Sequence, residues 1–227
     1  MSEKLNKKDF IEIDFTGRLT ESGDIFDSTI ESDLKKSNLN LSAKPYVLSI
    51  GSEMIVRGVD EFLEGKEIGK EYEITLEPEK AFGKRNPKLV QMIPTKIFIQ
   101  QRLNPVPGAM FNMDGRLARI ISVSGGRTMT DFNNPLAGKN VTYKIKINKK
   151  VDARIDQVKS VLDFFLKRDF PFEVKEKEKK LIITADKQIG EFLKIFSDKF
   201  REILDLDLEV EFNEVKSKKN VVEKNSG

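Results

Sequence analysis

Carboxylates, lysines, tyrosines, backbone groups and shape are the only means of catalysis open to this chain, because none of its 227 residues is a cysteine or a histidine. A Ser-His-Asp triad, a thiolate nucleophile, a disulfide and a Cys/His zinc site are therefore excluded. Asp24, Asp27 and Glu31 could meet a cation, but they lack the regular spacing and glycine of a calcium loop. Asp27, followed by Ser28 and Thr29, reads in isolation as the cap of a turn. Glu77, Glu79 and Lys80 read as solvated surface, and Gly125 with Gly126 is too sparse for a phosphate cradle and reads as a hairpin turn. No metal and no cofactor is expected. Carboxylates, lysines, tyrosines, backbone groups and plain shape all remain open as means of catalysis.

Several apolar residues are spaced as the inner faces of strands. Ile11, Ile13 and Phe15 alternate with acidic residues, as do Tyr72, Ile74 and Leu76 farther on and Val141, Tyr143, Ile145 and Ile147 later still, which predicts half-buried strands. Residues 46–50 form a short strand signal closed by Gly51, residues 54–63 read as a short helix before Gly65, and the polar residues 32–42 read as a loop. Taken alone, Phe15, Ile55, Val56 and Tyr143 are ordinary core residues.

Between these elements, residues 86–131 change character. They hold four of the eight prolines and four of the six methionines, with tight-turn signals between short apolar runs. A small β-rich insertion is expected, since so long a structureless loop is unusual in a compact domain. Its Met92, Ile93, Ile97, Phe98, Met110, Phe111 and Met113 either fill its own core or face outward as an adaptable surface, a role that suits methionine; a mixture is expected.

After Lys150 the period becomes helical. Ile155, Val158, Leu162, Phe165 and Leu166 share one face, as do Ile189, Phe192, Leu193, Phe196, Phe200, Ile203 and Leu204. Strands at 172–175, 181–185 and 206–212 complete an α-β-β-α-β unit, and the polar residues 213–227 read as a disordered tail. So many phenylalanines in about sixty residues are hard for one small unit to bury. An apolar face that pairs two copies into a homodimer is expected, the alternative being packing against the rest of the chain.

With 40 basic and 37 acidic residues interspersed, charge gives no ground for a nucleic-acid partner. No apolar run is long enough to cross a bilayer and the first ten residues lack the apolar centre of a signal peptide, so a cytoplasmic protein without membrane attachment is expected.

Ordered short motifs then narrow the class. Phe15, Thr16 and Gly17; Gly23 through Ser28; Ile50 and Gly51 followed by Ile55 through Val59; Ala81, Phe82 and Gly83; Asn134 through Lys139; and Val141, Thr142 and Tyr143 occur with an insertion after the fourth. This order resembles the FKBP-type peptidyl-prolyl cis/trans isomerases over about residues 8–150. It is most similar to the SlyD-like branch with an insert-in-flap chaperone domain, of the archaeal long type. The resemblance implies an α+β fold, an antiparallel sheet wrapped on a short helix, with an isomerase domain over 1–86 and 132–150 and the insertion over 87–131. Residues 151–212 and 213–227 would be a separate α+β domain and the tail.

The resemblance also implies a proline pocket of Phe15, Phe26, Asp27, Ile55, Val56, Val59, Phe82 and Tyr143, with the Val56 N–H meeting a substrate carbonyl. Phe15 and Phe82 stand where the family usually has tyrosine, Val59 where tryptophan is common, and Tyr143 where phenylalanine is usual. The expected function is X-Pro isomerisation during folding, with the insertion's apolar residues holding proline-containing unfolded or nascent chains. The rival is a holdase that binds polypeptide without catalysis.

Overall fold

A computed structural model of the chain describes residues 4–37 and 39–212. The expected tail at 213–227 lies outside the described residues. Two compact units form. One comprises residues 4–6, Glu12–Tyr46 and Ile55–Lys149; the other comprises Lys7–Ile11, Val47–Met54 and residues 150–212.

The first part of the chain runs β1 (Phe10–Leu19), β2 (Ile25–Ser28), α1 (Glu31–Lys36), β3 (Tyr46–Ser49), α2 (Arg57–Leu63) and β4 (Glu71–Leu76). The insertion follows as β5 (Val90–Pro94), α3 (Thr95–Gln100), β6 (Met110–Met113), β7 (Arg116–Ser124) and β8 (Arg127–Asp131), before β9 (Val141–Lys150) returns to the main sheet. That sheet has the order β2-β1-β9-β4, with β3 also paired to β1. The period-two residues behave as their spacing predicts. Ile11, Ile13, Phe15, Val141, Tyr143, Ile145 and Ile147 are all buried, while Glu12 and Lys149 reach the surface as an ion pair at 3.3 Å. The fold is mixed α+β with antiparallel sheets over short helices, as expected.

Three details correct the sequence reading. Residues 31–36 are a helix and not part of a loop. Its one buried residue is Leu34, Lys35 pairs with Glu31 at 2.6 Å, and Asp33 accepts from the Thr16 hydroxyl at 2.7 Å. A single apolar residue leaves no periodic signal, so tertiary anchoring makes this helix. The insertion is likewise not all strand. α3 carries Ile97, Phe98 and Ile99, β-prone residues that turn helical because Phe98 becomes the fully buried centre of the insertion's core. The short helix before Gly65 begins at Arg57, not at Met54.

The second unit contains α4 (Arg154–Leu166), β10 (Phe172–Lys175), β11 (Lys180–Ala185), α5 (Lys187–Ile195), α6 (Ser197–Leu204) and β12 (Asp207–Phe212). β11 is central in the sheet, antiparallel to β10 and parallel to β12. The expected second helix is two helices, broken where Phe196 adopts φ −94° and ψ 4°. Its chain of rings, Phe192–Phe196–Phe165–Phe200, packs at centroid distances of 5.1, 5.1 and 5.9 Å. Among the described residues no helix is long and apolar enough to cross a membrane.

Candidate functional site

Strand pairing brings the first aromatic residues together. Gly17 stands opposite Asp27 across β1 and β2, so Phe15 and Phe26 come from neighbouring strands, while Tyr143 comes from β9 on the other side of β1. The backbone of Phe15 is held from both sides. Its N–H donates to Thr29 Oγ1 at 2.9 Å, and its carbonyl accepts from the Thr29 N–H at 2.9 Å and the Ser28 hydroxyl at 3.1 Å.

The rings then form one continuous series. Tyr46 meets Phe15 at 6.2 Å, Phe15 meets Tyr143 at 5.9 Å, Tyr143 meets Phe26 at 5.8 Å and Phe26 meets Phe82 at 5.6 Å. Three of the four contacts are edge-to-face, the arrangement favoured by the ring quadrupoles. Gly17 makes the packing feasible. A Cβ there would lie 2.7 Å from Phe26 Cζ and 3.1 Å from Tyr143 Cε1, closer than carbon atoms tolerate.

Phe82 reaches the series from a 3-10 turn at Pro78–Lys80. Gly83 N–H donates back to the Pro78 carbonyl at 2.6 Å, and Gly138 N–H donates to the Gly83 carbonyl at 2.8 Å, which ties the segment entering the insertion to the one leaving it. α2 approaches the same turn through Gly58, where a Cβ would sit 2.6 Å from Leu76 Cδ2 and 2.8 Å from the Lys80 carbonyl. Ile55 and Val56 are half-buried at the entry to α2 and Val59 is fully buried. They lie outside the ring series. The Val56 carbonyl accepts from Val59 and Asp60, whereas its N–H donates to no group among the described residues.

Asp27 is half-buried, and its charge acts on Tyr143. Burial first, and the Asp27 carboxylate second, push the Tyr143 hydroxyl well above the usual phenol range. The hydroxyl is thus a neutral donor at any physiological pH. Among the described residues no group of three or more Asp or Glu is placed to hold a metal. Tyr46 is the ring that sequence reasoning missed. It stands alone at the start of β3, and only strand pairing brings it to Phe15.

The seven insertion residues divide between core and surface, by strand parity in β5 and β6 and by helix face in α3. Phe98 and Met113 are buried in the insertion core, with Ile93 and Phe111 packed against them. Ile97 is half-buried, and Met92 and Met110 are 57% and 50% exposed. The insertion sheet has the order β5-β8-β7-β6, in which Met92 pairs with Met129 and Met110 with Arg119. Leu117, Ile121 and Met129, which sequence reasoning did not single out, are also exposed. The core packs Phe98 of α3 against Ala118 and Ile120, and their exposed neighbours Leu117, Arg119 and Ile121 alternate with them.

A polar clamp closes the insertion's neck. Asn133, nearly buried, accepts from the Asn86 N–H at 2.8 Å and donates to the Asn86 carbonyl at 3.0 Å, copying a backbone pair with its side-chain amide. Arg85 reaches Asp131 through Nη2 at 2.6 Å and Nε at 3.1 Å. Burial would raise the Asp131 pKa, but the Asn133 N–H and side chain, with Arg85, outweigh it and hold the carboxyl below its usual range.

Comparison with known proteins agrees with this architecture. The family model described as FKBP-type peptidyl-prolyl cis-trans isomerase matches residues 1–99, and the model described as FKBP26, IF domain matches residues 91–136. The chain is 30% identical over 150 residues to the short-type peptidyl-prolyl cis-trans isomerase of Methanocaldococcus jannaschii, covering 65% of this chain and 94% of that protein. It is 30% identical over 152 residues to the FKBP-type 16 kDa peptidyl-prolyl cis-trans isomerase of Escherichia coli K12, covering 65% and 94%. The SlyD isomerase of Aeromonas hydrophila matches at 29% over 129 residues, 56% of each chain. Carrying the motifs, the sheet and the insertion of that group, the chain belongs to the FKBP-type peptidyl-prolyl cis-trans isomerases.

Proposed function

We propose that the ring series is the proline pocket, and that the exposed apolar residues of the insertion sheet capture unfolded or nascent proline-containing chains in the cytoplasm. The observation that carries the first half is the continuous ring series Tyr46–Phe15–Tyr143–Phe26–Phe82, drawn from five separate segments. The second half rests on Met92, Met110, Leu117, Ile121 and Met129, all exposed on one small sheet.

Rotation about an X-Pro bond meets a barrier of about 18–20 kcal/mol, chiefly amide resonance. The planar amide is the more dipolar form and is favoured by water. A pocket walled by Phe15, Phe26 and Phe82, to which the family resemblance adds Ile55 and Val59, would replace that water and favour the twisted state, so that binding strengthens as the bond turns. The Val56 N–H is free to receive the carbonyl of the substrate, fixing one side of the bond while the other rotates. Tyr143 and Asp27 supply the polar edge, a neutral donor beside a carboxylate. No proton leaves a side chain in this scheme.

A protease-free isomerisation assay tests both halves. Serine at Met92, Met110 and Leu117 should leave the rate on a short X-Pro peptide near wild type and lower the rate on a slow-refolding protein. Equal losses on both substrates would refute the division of labour. We also propose that the second unit pairs with another copy through Phe192, Ile195 and Phe212, which are 49%, 74% and 47% exposed. A concentration-independent monomer mass in the ultracentrifuge would remove that dimer.

A further inference from the structure

The insertion is apolar and also basic. Between residues 86 and 131 stand six Lys or Arg against two Asp or Glu, in a chain whose formal charge is only +3. One of these cations, Arg119, lines a hollow of ≈ 530 Å³ by the neck, together with Met110, Leu117, Ile121 and Asp131 and, from the flanking segments, Arg85 and Lys139.

Cross-strand pairing gives Arg119 an obvious acid. Asp131 stands opposite it on β8. That carboxylate is already taken. Arg85 binds Oδ2, while the N–H and side-chain amide of Asn133 hold Oδ1 at 2.9 and 2.7 Å. Neither Arg119 nor Lys139 has an ion-pair partner among the described residues. Arg85 and Asp131 also line the hollow but offset each other, so Arg119 and Lys139 face its apolar side chains as two cations without an acid of their own.

We propose that this hollow recognises an acidic side chain in the captured polypeptide, so that the protein prefers unfolded segments in which Asp or Glu lies among apolar residues. The inference rests on the reading that the insertion captures client chains, and adds the chemistry of the client. A polypeptide fits better than a nucleic acid. The cations sit among Met110, Leu117 and Ile121, and none of these walls is an aromatic ring on which a base could stack. Charge complementarity of this kind selects partners and raises on-rates more than it adds affinity.

The test uses the full chain and three fluorescein-labelled peptides that share one apolar, proline-free core flanked by Glu, Gln or Lys. Fluorescence anisotropy at low salt should show the Glu peptide binding about threefold to fivefold tighter than the Gln peptide, and the Lys peptide weakest. Raising the salt should erase the difference, since these charges are exposed. Arg119→Glu with Lys139→Glu should reverse the order, and Arg119→Lys with Lys139→Arg should keep it. Equal affinity for all three peptides overturns the acidic preference and leaves capture by the insertion standing. Binding of none of them overturns both. Displacement of all three peptides by a single-stranded RNA oligonucleotide that binds more tightly would assign the cations to nucleic acid and overturn the proposal.

Discussion

Phe26 touches two of the other rings, and the rings of Phe26 and Tyr143 occupy the space that a methyl at Gly17 would need. Phe26→Ala removes both contacts and should lower kcat/KM on a short X-Pro peptide by about tenfold, judged from the worth of two aromatic pairs. Gly17→Ala should cost about 1–3 kcal/mol in chemical denaturation, because the methyl drives Phe26 and Tyr143 apart. Tyr143 gives a pH signature. Its folded pKa is raised, so the folded state keeps a proton that the unfolded chain loses above about pH 10. Stability from this group is present below the unfolded pKa and falls as pH rises beyond it. Tyr143→Phe should unfold less readily than wild type as the solution becomes strongly alkaline, measured by denaturant midpoint against pH; identical alkaline slopes would contradict the burial argument.

At the scale of elements, the neck clamp decides how firmly the insertion is held. Asn133 and Arg85 both hold Asp131, whose lowered pKa means that this contribution is present above the unfolded carboxylate value and is lost as pH falls. Arg85→Ala should therefore lower the hydrogen-exchange protection factor of the Asn86 amide at neutral pH and flatten the loss of protection that wild type shows in acid. Much of the main sheet was legible in the alternation of Ile11, Ile13 and Phe15 and of Val141, Tyr143 and Ile145, because one face of each strand meets a core. The insertion was less so. Phe98 and Met92 are both apolar residues of one short segment, yet one is buried and the other open, and only strand register and α3 distinguish them. Tyr46, α1 and the break at Phe196 escaped for a related reason: each is fixed by partners distant in sequence.

For the whole molecule, the account separates chemistry from capture. The rings that would close on proline and the residues that would hold a client chain sit on different sheets of one unit, joined through Gly83, Gly138 and the Asn86–Asn133 pair. The basic excess of the insertion, against a nearly balanced total, is the basis for the proposed client preference. The second unit enters through its exposed Phe192, Ile195 and Phe212, and a dimer would give each client chain two capture surfaces. The most direct measurement compares rate constants for a short X-Pro peptide and for a slow-refolding protein, using wild type, Phe26→Ala and the Met92, Met110 and Leu117 serine variant. The account predicts that Phe26→Ala slows both substrates and that the serine variant slows only the protein. A Phe26→Ala enzyme as fast as wild type on the peptide would contradict it.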